Sequence, residues 1–166
     1  MPARPDPIRP TTDEARALAR RLLCEARHGA LGVLDPETRG PLVTRVAAGW
    51  DGEAALILVS TLALHTRALL AGPACSLLVG EAGPRGDPLA HPRLSLQARA
   101  EEAFKPAHRD RWLAHHPKTT LYYDFADFLL LRLVPHAAHL NGGFGQAFRL
   151  SPEDLRGPPD PPAGPP

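Results

Sequence analysis

Apolar positions along this chain change period several times, and each change marks an element. From Thr11 to Ala26 they recur at helical spacing, with Leu18, Leu22 and Ala26 on one stripe beside Ala15 and Ala19, and Arg16, Arg20 and Glu25 facing away. Thr11-x-x-Glu14 reads as the capping box of this helix, and Gly29 as its stop. Ala30–Leu34, Leu42–Ala48 and Ala54–Val59 then read as strands. Asp35–Gly40 forms the first turn between them, and Asp51-Gly52 supplies a hairpin signal for the second. Leu62–Ala71 predicts a short helix ended by Gly72-Pro73, followed by a strand over Cys75–Val79 and a Gly/Pro loop over Glu81–Pro88. Arg93–Ala100 alternates cleanly, with Leu94, Leu96, Ala98 and Ala100 on one face. A helix over Lys105–His116 stops at Pro117, with a further helical turn at Leu121–Phe125. Phe128–Pro135 and Phe144–Leu150 read as the last strands, around Asn141-Gly142-Gly143.

Strands joined in hairpins, with helices inserted between them, predict an antiparallel α+β domain. A small barrel closes such a sheet without exposed edges. Parallel α/β is the weaker alternative, because Asp51-Gly52 joins its strands too tightly for a crossover.

Composition sharpens this picture at the ends. Four of the 20 prolines lie in residues 1–10 and six in residues 157–166. Residues 1–10 are therefore expected to be a flexible leader, although Ile8 could pack. Residues 11–154 are the folded domain, and residues 155–166 a disordered proline-rich tail. Nineteen basic against 18 acidic side chains leave +1, which disfavours a nucleic-acid partner. No apolar run approaches the roughly 20 residues of a membrane span, and no apolar leader suggests secretion. A cytoplasmic location is the expectation. Cys24 and Cys75 are too few for a disulfide framework and read as inert thiols.

The chemistry concentrates in Ser60-Thr61-Leu62-Ala63-Leu64-His65-Thr66-Arg67, where a strand passes into a helix. Two hydroxyls there are good caps, and the same place binds anions because free N–H groups and the dipole face outward. Arg67 could grip a phosphate in bidentate fashion, and Arg45 stands on the other arm of the Asp51-Gly52 hairpin. A capped surface helix with ordinary basic residues fits the spacing equally well. The eight histidines are spread along the chain, with no CxxC or HExxH spacing, so no metal site is expected. His136 and His139 fall on opposite faces of a regular strand. The aromatic cluster Leu121–Phe128 reads as core or dimer interface.

Taken in order, these segments resemble the FMN-binding split-barrel family typified by pyridoxamine 5'-phosphate oxidase, within it the branch associated with heme utilisation. The matching pieces run from Ala26-Arg27-His28-Gly29-Ala30-Leu31 through Leu34-Asp35-Pro36, Val59–Thr66 and Ala74–Gly80. They continue through Gly86–Ala90, Pro92–Leu96, Arg111–Pro117 and His139–Gly145. Two positions depart from the branch: Ala68 replaces a usual asparagine, and Asn141 a frequent apolar residue. The resemblance implies an FMN site shared by two subunits of a homodimer, with a small-molecule redox substrate. Arg45 would contact the phosphate or ribityl side, and Val46 and Ala47 would lay backbone along the ring. Ser60, Thr61, His65, Thr66 and Arg67 would cradle the phosphate, and Arg93 would reach a flavin held mainly by the other subunit. An FMN-dependent oxidoreductase is the leading expectation. A heme-binding or heme-degrading protein using the same dimer cleft is the alternative.

Overall fold

The computed structural model describes residues 7–157. Six of its strands close a barrel. The sheet order is β1-β8-β7-β4-β3-β2-β5-β6, and β6 pairs again with β7. The barrel strands are β2 (His28–Leu34), β3 (Pro41–Trp50), β4 (Ala55–Ser60), β5 (Ala74–Val79), β6 (Arg93–Glu102) and β7 (Phe128–Asn141). All barrel neighbours are antiparallel. With α1 (Asp13–Glu25), α2 (Leu64–Ala71), α3 (Lys105–His115) and α4 (Pro152–Leu155), this is an α+β split barrel, as the sequence predicts.

Two apolar clusters hold it together. The larger fills the barrel: alternate residues of β6 (Leu94, Leu96, Ala98) meet Leu31, Val46, Ile57, Leu77 and Leu133, and Ala19 and Leu23 of α1 plug one end. The smaller lies outside the wall, where Leu56, Leu58 and Leu130 pack against Trp112 and Tyr123. Every residue of β4 from Ala55 to Val59 is buried because both of its faces are covered. That explains a strand reading as a continuous apolar run rather than an alternating one.

Several boundaries differ from the sequence expectation. The N-cap of α1 is Thr12, whose hydroxyl accepts from Ala15 N, while Thr11 donates to the Arg149 carbonyl. The helix ends at Glu25 rather than Gly29, freeing His28 and Gly29 to pair with β3. Strand β7 runs on through Pro135. The register shifts at Gln97/Ala98, so that Pro135 faces Ala98, Ala137 faces Gln97, and His136 is the extra residue. A bulge tolerates a proline that a regular ladder would not. It also turns His136 outward, on the side where His139 lies, because Leu133 and Ala138 both enter the core.

The expected end segments are shorter than predicted. Ile8–Arg9, within the expected leader, forms β1 and pairs in parallel with Ala147–Phe148 of β8 (Ala147–Leu150). Leu155, the first residue of the expected tail, is fully buried at the end of α4. The proline-rich residues 158–166 lie outside the described residues.

Candidate functional site

The barrel is split between β3 and β4. Their ladder runs from Trp50↔Ala55 to Ala48↔Ile57, after which the first half of β3 stays with β2 while the end of β4 follows β7. Helix α2 begins just beyond the end of β4. Its His65 closes the gap, with Nδ1 3.1 Å from the Thr44 hydroxyl on β3. This contact ties the start of α2 to β3 at Thr44, whose side chain faces opposite to that of Arg45. Burial holds the His65 imidazole below the usual histidine range, so the ring is neutral at pH 7.

Ser60 and Thr61 do not cap α2. The N-cap is Ala63, and no side chain accepts from the first turn. Ser60 instead accepts from Leu62 N at 3.2 Å, and Thr61 N donates to the Asp127 carbonyl at 2.7 Å. The linking segment Thr61–Ala63 pushes the helix start beyond the reach of both hydroxyls. Thr66, one turn in, is fully buried, and its hydroxyl meets no partner among the described residues. Arg67 is exposed, close enough to the Asp35 turn to help keep that carboxylate below its ordinary range, after the dominant N–H bonds from Glu37 and Thr38. Ala68 is core, so no amide at this position could face a ligand without rearrangement.

The structure separates the other named residues. Arg45 is exposed and opens onto a cavity of about 340 Å³ on the outer face of β3, β2 and β5, whose rim includes the His28–Glu81 pair at 2.6 Å. Val46 points into the barrel core, so only its backbone faces outward. Ala47 is half-buried on the outside, packed against the Trp112 cluster. Arg93 sits at the head of β6 and donates to the carbonyls of Leu89 and His91. Its backbone nevertheless flanks the Arg45 cavity. Gly80 lines that cavity at φ +102, and a Cβ there would lie 2.5 Å from the Pro92 carbonyl and 2.8 Å from Arg93 Cα, so only glycine fits.

Sequence reasoning missed a cavity of about 720 Å³ between α3 and the β3–β4 hairpin. Trp50, Arg111, Trp112 and His115 line it. Arg111 donates to the Asp51 carbonyl across 60 positions of sequence, at 2.9 Å. His115 and His116 fasten α3 to the barrel: their Nε2 atoms bond the carbonyls of Ala26 and Ala48. Adjacent histidines and a nearby tryptophan were visible signals, but nothing in their spacing gave this docking. Among the described residues, no three His, Cys, Asp or Glu side chains converge to hold a metal ion, and no helix is long and apolar enough to cross a membrane.

No family model matches the chain. A solved protein of the pyridoxinephosphate oxidase family from Clostridium acetobutylicum, related to general stress protein 26, superposes with a TM-score of 0.67 over 87% of this chain and 99% of that one, at 12% identity. That likeness shows a shared fold: the chain is built as the same antiparallel split barrel. A heme oxygenase and a heme binding protein are similar in sequence as well. The chloroplastic heme oxygenase HOZ of Arabidopsis thaliana is 33% identical over 146 residues, covering 85% of this chain and 43% of that protein. A heme binding protein from Mycobacterium smegmatis is 28% identical, with a TM-score of 0.78 over 89% of this chain and 61% of that one. The chain thus spans about half the length of these two relatives.

Proposed function

We propose that this split barrel binds FMN at the gap between β3 and β4, in a site completed by a second copy of the chain, and acts as a flavin-dependent oxidoreductase on a small molecule. The observation that carries this reading is the start of α2. Its first turn lacks a side-chain cap, and the Thr66 hydroxyl is buried without a partner. Free N–H groups suit a phosphate dianion, and the Thr66 hydroxyl joins them once a shift of the helix start uncovers it, with Arg67 as the cation on the same helix and Arg45 next to Thr44 on β3. The residues present therefore fit the phosphate. The outer face next to Arg45 suits a second copy, because Gly32 and the small side chains of Ala30 and Ser76 lie half-buried between exposed Val43 and Leu78. When bound, the flavin would supply the redox chemistry. The chain would hold the phosphate at Arg45, Arg67 and the α2 start, and keep His65 neutral through burial.

Heme is a second reading, supported by the sequence likeness to a heme oxygenase and a heme binding protein. Absorbance separates the two. A flavin spectrum that survives gel filtration supports the first reading. A Soret band with no FMN uptake supports the second. Under the first reading, Arg67→Ala weakens FMN binding by roughly 1.5–3 kcal/mol, about ten- to hundredfold, by losing a charge-assisted bond. An unchanged Kd removes Arg67 from the phosphate site.

A further inference from the structure

The backbone that leads into α2 is tied down from two sides. Leu62 N donates to the Ser60 hydroxyl and Ala63 N to the Ser60 carbonyl, so both bonds stay at the end of β4. Thr61 N reaches further, to the Asp127 carbonyl at 2.7 Å. Among the described residues, this bond and the His65–Thr44 contact are the hydrogen bonds that reach the α2 start from beyond β4. The position of Asp127 therefore bears directly on where the helix begins.

Asp127 is exposed and lies in the turns of residues 122–127, which lead into β7. The first two turns of α3 hold these turns in place. Lys105 Nζ donates to the Phe128 carbonyl at 2.8 Å and to the Phe125 carbonyl at 3.2 Å, one on each side of Asp127. The same ammonium stands 5.3 Å from the centre of the Tyr123 ring, and the Tyr123 hydroxyl donates back to the Lys105 carbonyl at 2.7 Å. One turn on, Arg109 grips the Asp124 carboxylate at 2.9 Å. Lys105 is the first residue of α3, where the helix dipole disfavours a cation, and no acidic residue shares that first turn to offset it. The two carbonyls supply the compensation, because bonds from a charged donor are the stronger kind.

From this we infer that Lys105 is a positioning residue for the start of α2. Its ammonium fixes the carbonyls on either side of Asp127, and the Asp127 carbonyl fixes Thr61. It acts through backbone alone, with no hydrogen bond of its own to α2 among the described residues. The consequence for a ligand rests on the phosphate reading of that helix start; the positioning itself does not.

Lys105→Met keeps the stem and removes the donors. Amide hydrogen exchange reads the positioning with no ligand present: in the variant the Thr61 amide should exchange about tenfold faster, and the amides of α1 at the wild-type rate. Lys105→Arg, whose fork can again serve both carbonyls, should restore slow exchange. Flavin binding reads the consequence. FMN carries a phosphate and riboflavin does not, so Lys105→Met should weaken FMN about tenfold and leave riboflavin nearly unchanged. If Lys105→Met does not fold, the wild type carries the test: the Thr61 amide and the Phe128 amide, which donates to the Phe125 carbonyl, should lose protection together as urea is added. Unchanged exchange at Thr61 in the variant, or separate loss of protection at Thr61 and Phe128 in the wild type, would overturn the inference. So would equal weakening of FMN and riboflavin, the mark of a general loss of structure. A wild type that takes up no FMN, with Thr61 exchange still dependent on Lys105, would refute only the flavin reading and uphold the positioning.

Discussion

Replacing Thr66 by valine separates what this residue does for folding from what it does for a ligand. The substitution is nearly isosteric and both residues are β-branched, so helix propensity hardly changes. In the ligand-free protein the Thr66 hydroxyl is fully buried and unpaired. An unsatisfied buried hydroxyl costs about 1–3 kcal/mol, which valine recovers. At about 2–4 °C per kcal/mol for a chain of this size, the variant should melt several degrees higher without ligand. Ligand then works the other way. FMN at a hundred times its Kd stabilises the wild type by about 2.7 kcal/mol. If losing the hydroxyl weakens binding about tenfold, the same FMN stabilises the variant by only about 1.4 kcal/mol. The Tm advantage of the variant should therefore shrink or vanish as FMN is added. Thermal melts of both proteins, with and without FMN, make the comparison. A ligand-free variant that melts lower than wild type would mean the hydroxyl has a partner in solution, and the phosphate argument built on Thr66 would fail.

Three further outcomes follow from other parts of the structure. Asp51→Ala leaves Arg132 its bond to Glu101 but strands the N–H groups of Glu53 and Ala54, so urea melts should show a loss of about 1–3 kcal/mol; a loss under 1 kcal/mol would mean that solvent replaces these bonds. Burial holds the imidazoles of His65 and His116 below the ordinary range, so their neutral forms favour the folded state above about pH 6.5, and that stability is lost as pH falls below it. The His65→Gln, His116→Gln double variant should flatten the decline between pH 7 and 5, and a parallel slope would contradict this assignment. Leu155→Ala should cost about 2–4 kcal/mol, because the side chain is fully buried in the main core. If a chain ending at Asp154 melts like the full chain, Leu155 is not core.

The barrel was legible because its strands carry their own signals. The alternation of Arg93–Ala100 places Leu94, Leu96 and Ala98 inside, and they are fully buried. Asp51-Gly52 joins β3 to β4 as a hairpin, with Gly52 at φ +107. Local chemistry also marked out Ser60–Arg67 as the strand-to-helix passage. It did not give the helix start: an N-cap depends on where the chain turns, and three residues of linking backbone moved it from Ser60 to Ala63. The tail boundary failed for a related reason. Leu155 looks solvated beside prolines, but the capping box of Ser151 with Asp154 turns it back onto the core.

Periodicity, turn residues and apolar runs determined that this chain closes an antiparallel barrel with helices outside it, because those signals act between residues a few positions apart. Which side chains share a site was decided only by folding. The pairing of Thr44 with His65, the passage of β7 through Pro135 by a bulge, and the bond from Arg111 to the Asp51 carbonyl each join residues whose spacing carries no common signal. Barrel closure brings them together, and the docking of α3 onto the carbonyls of Ala26 and Ala48 through His115 and His116 then fixes the helix against the wall.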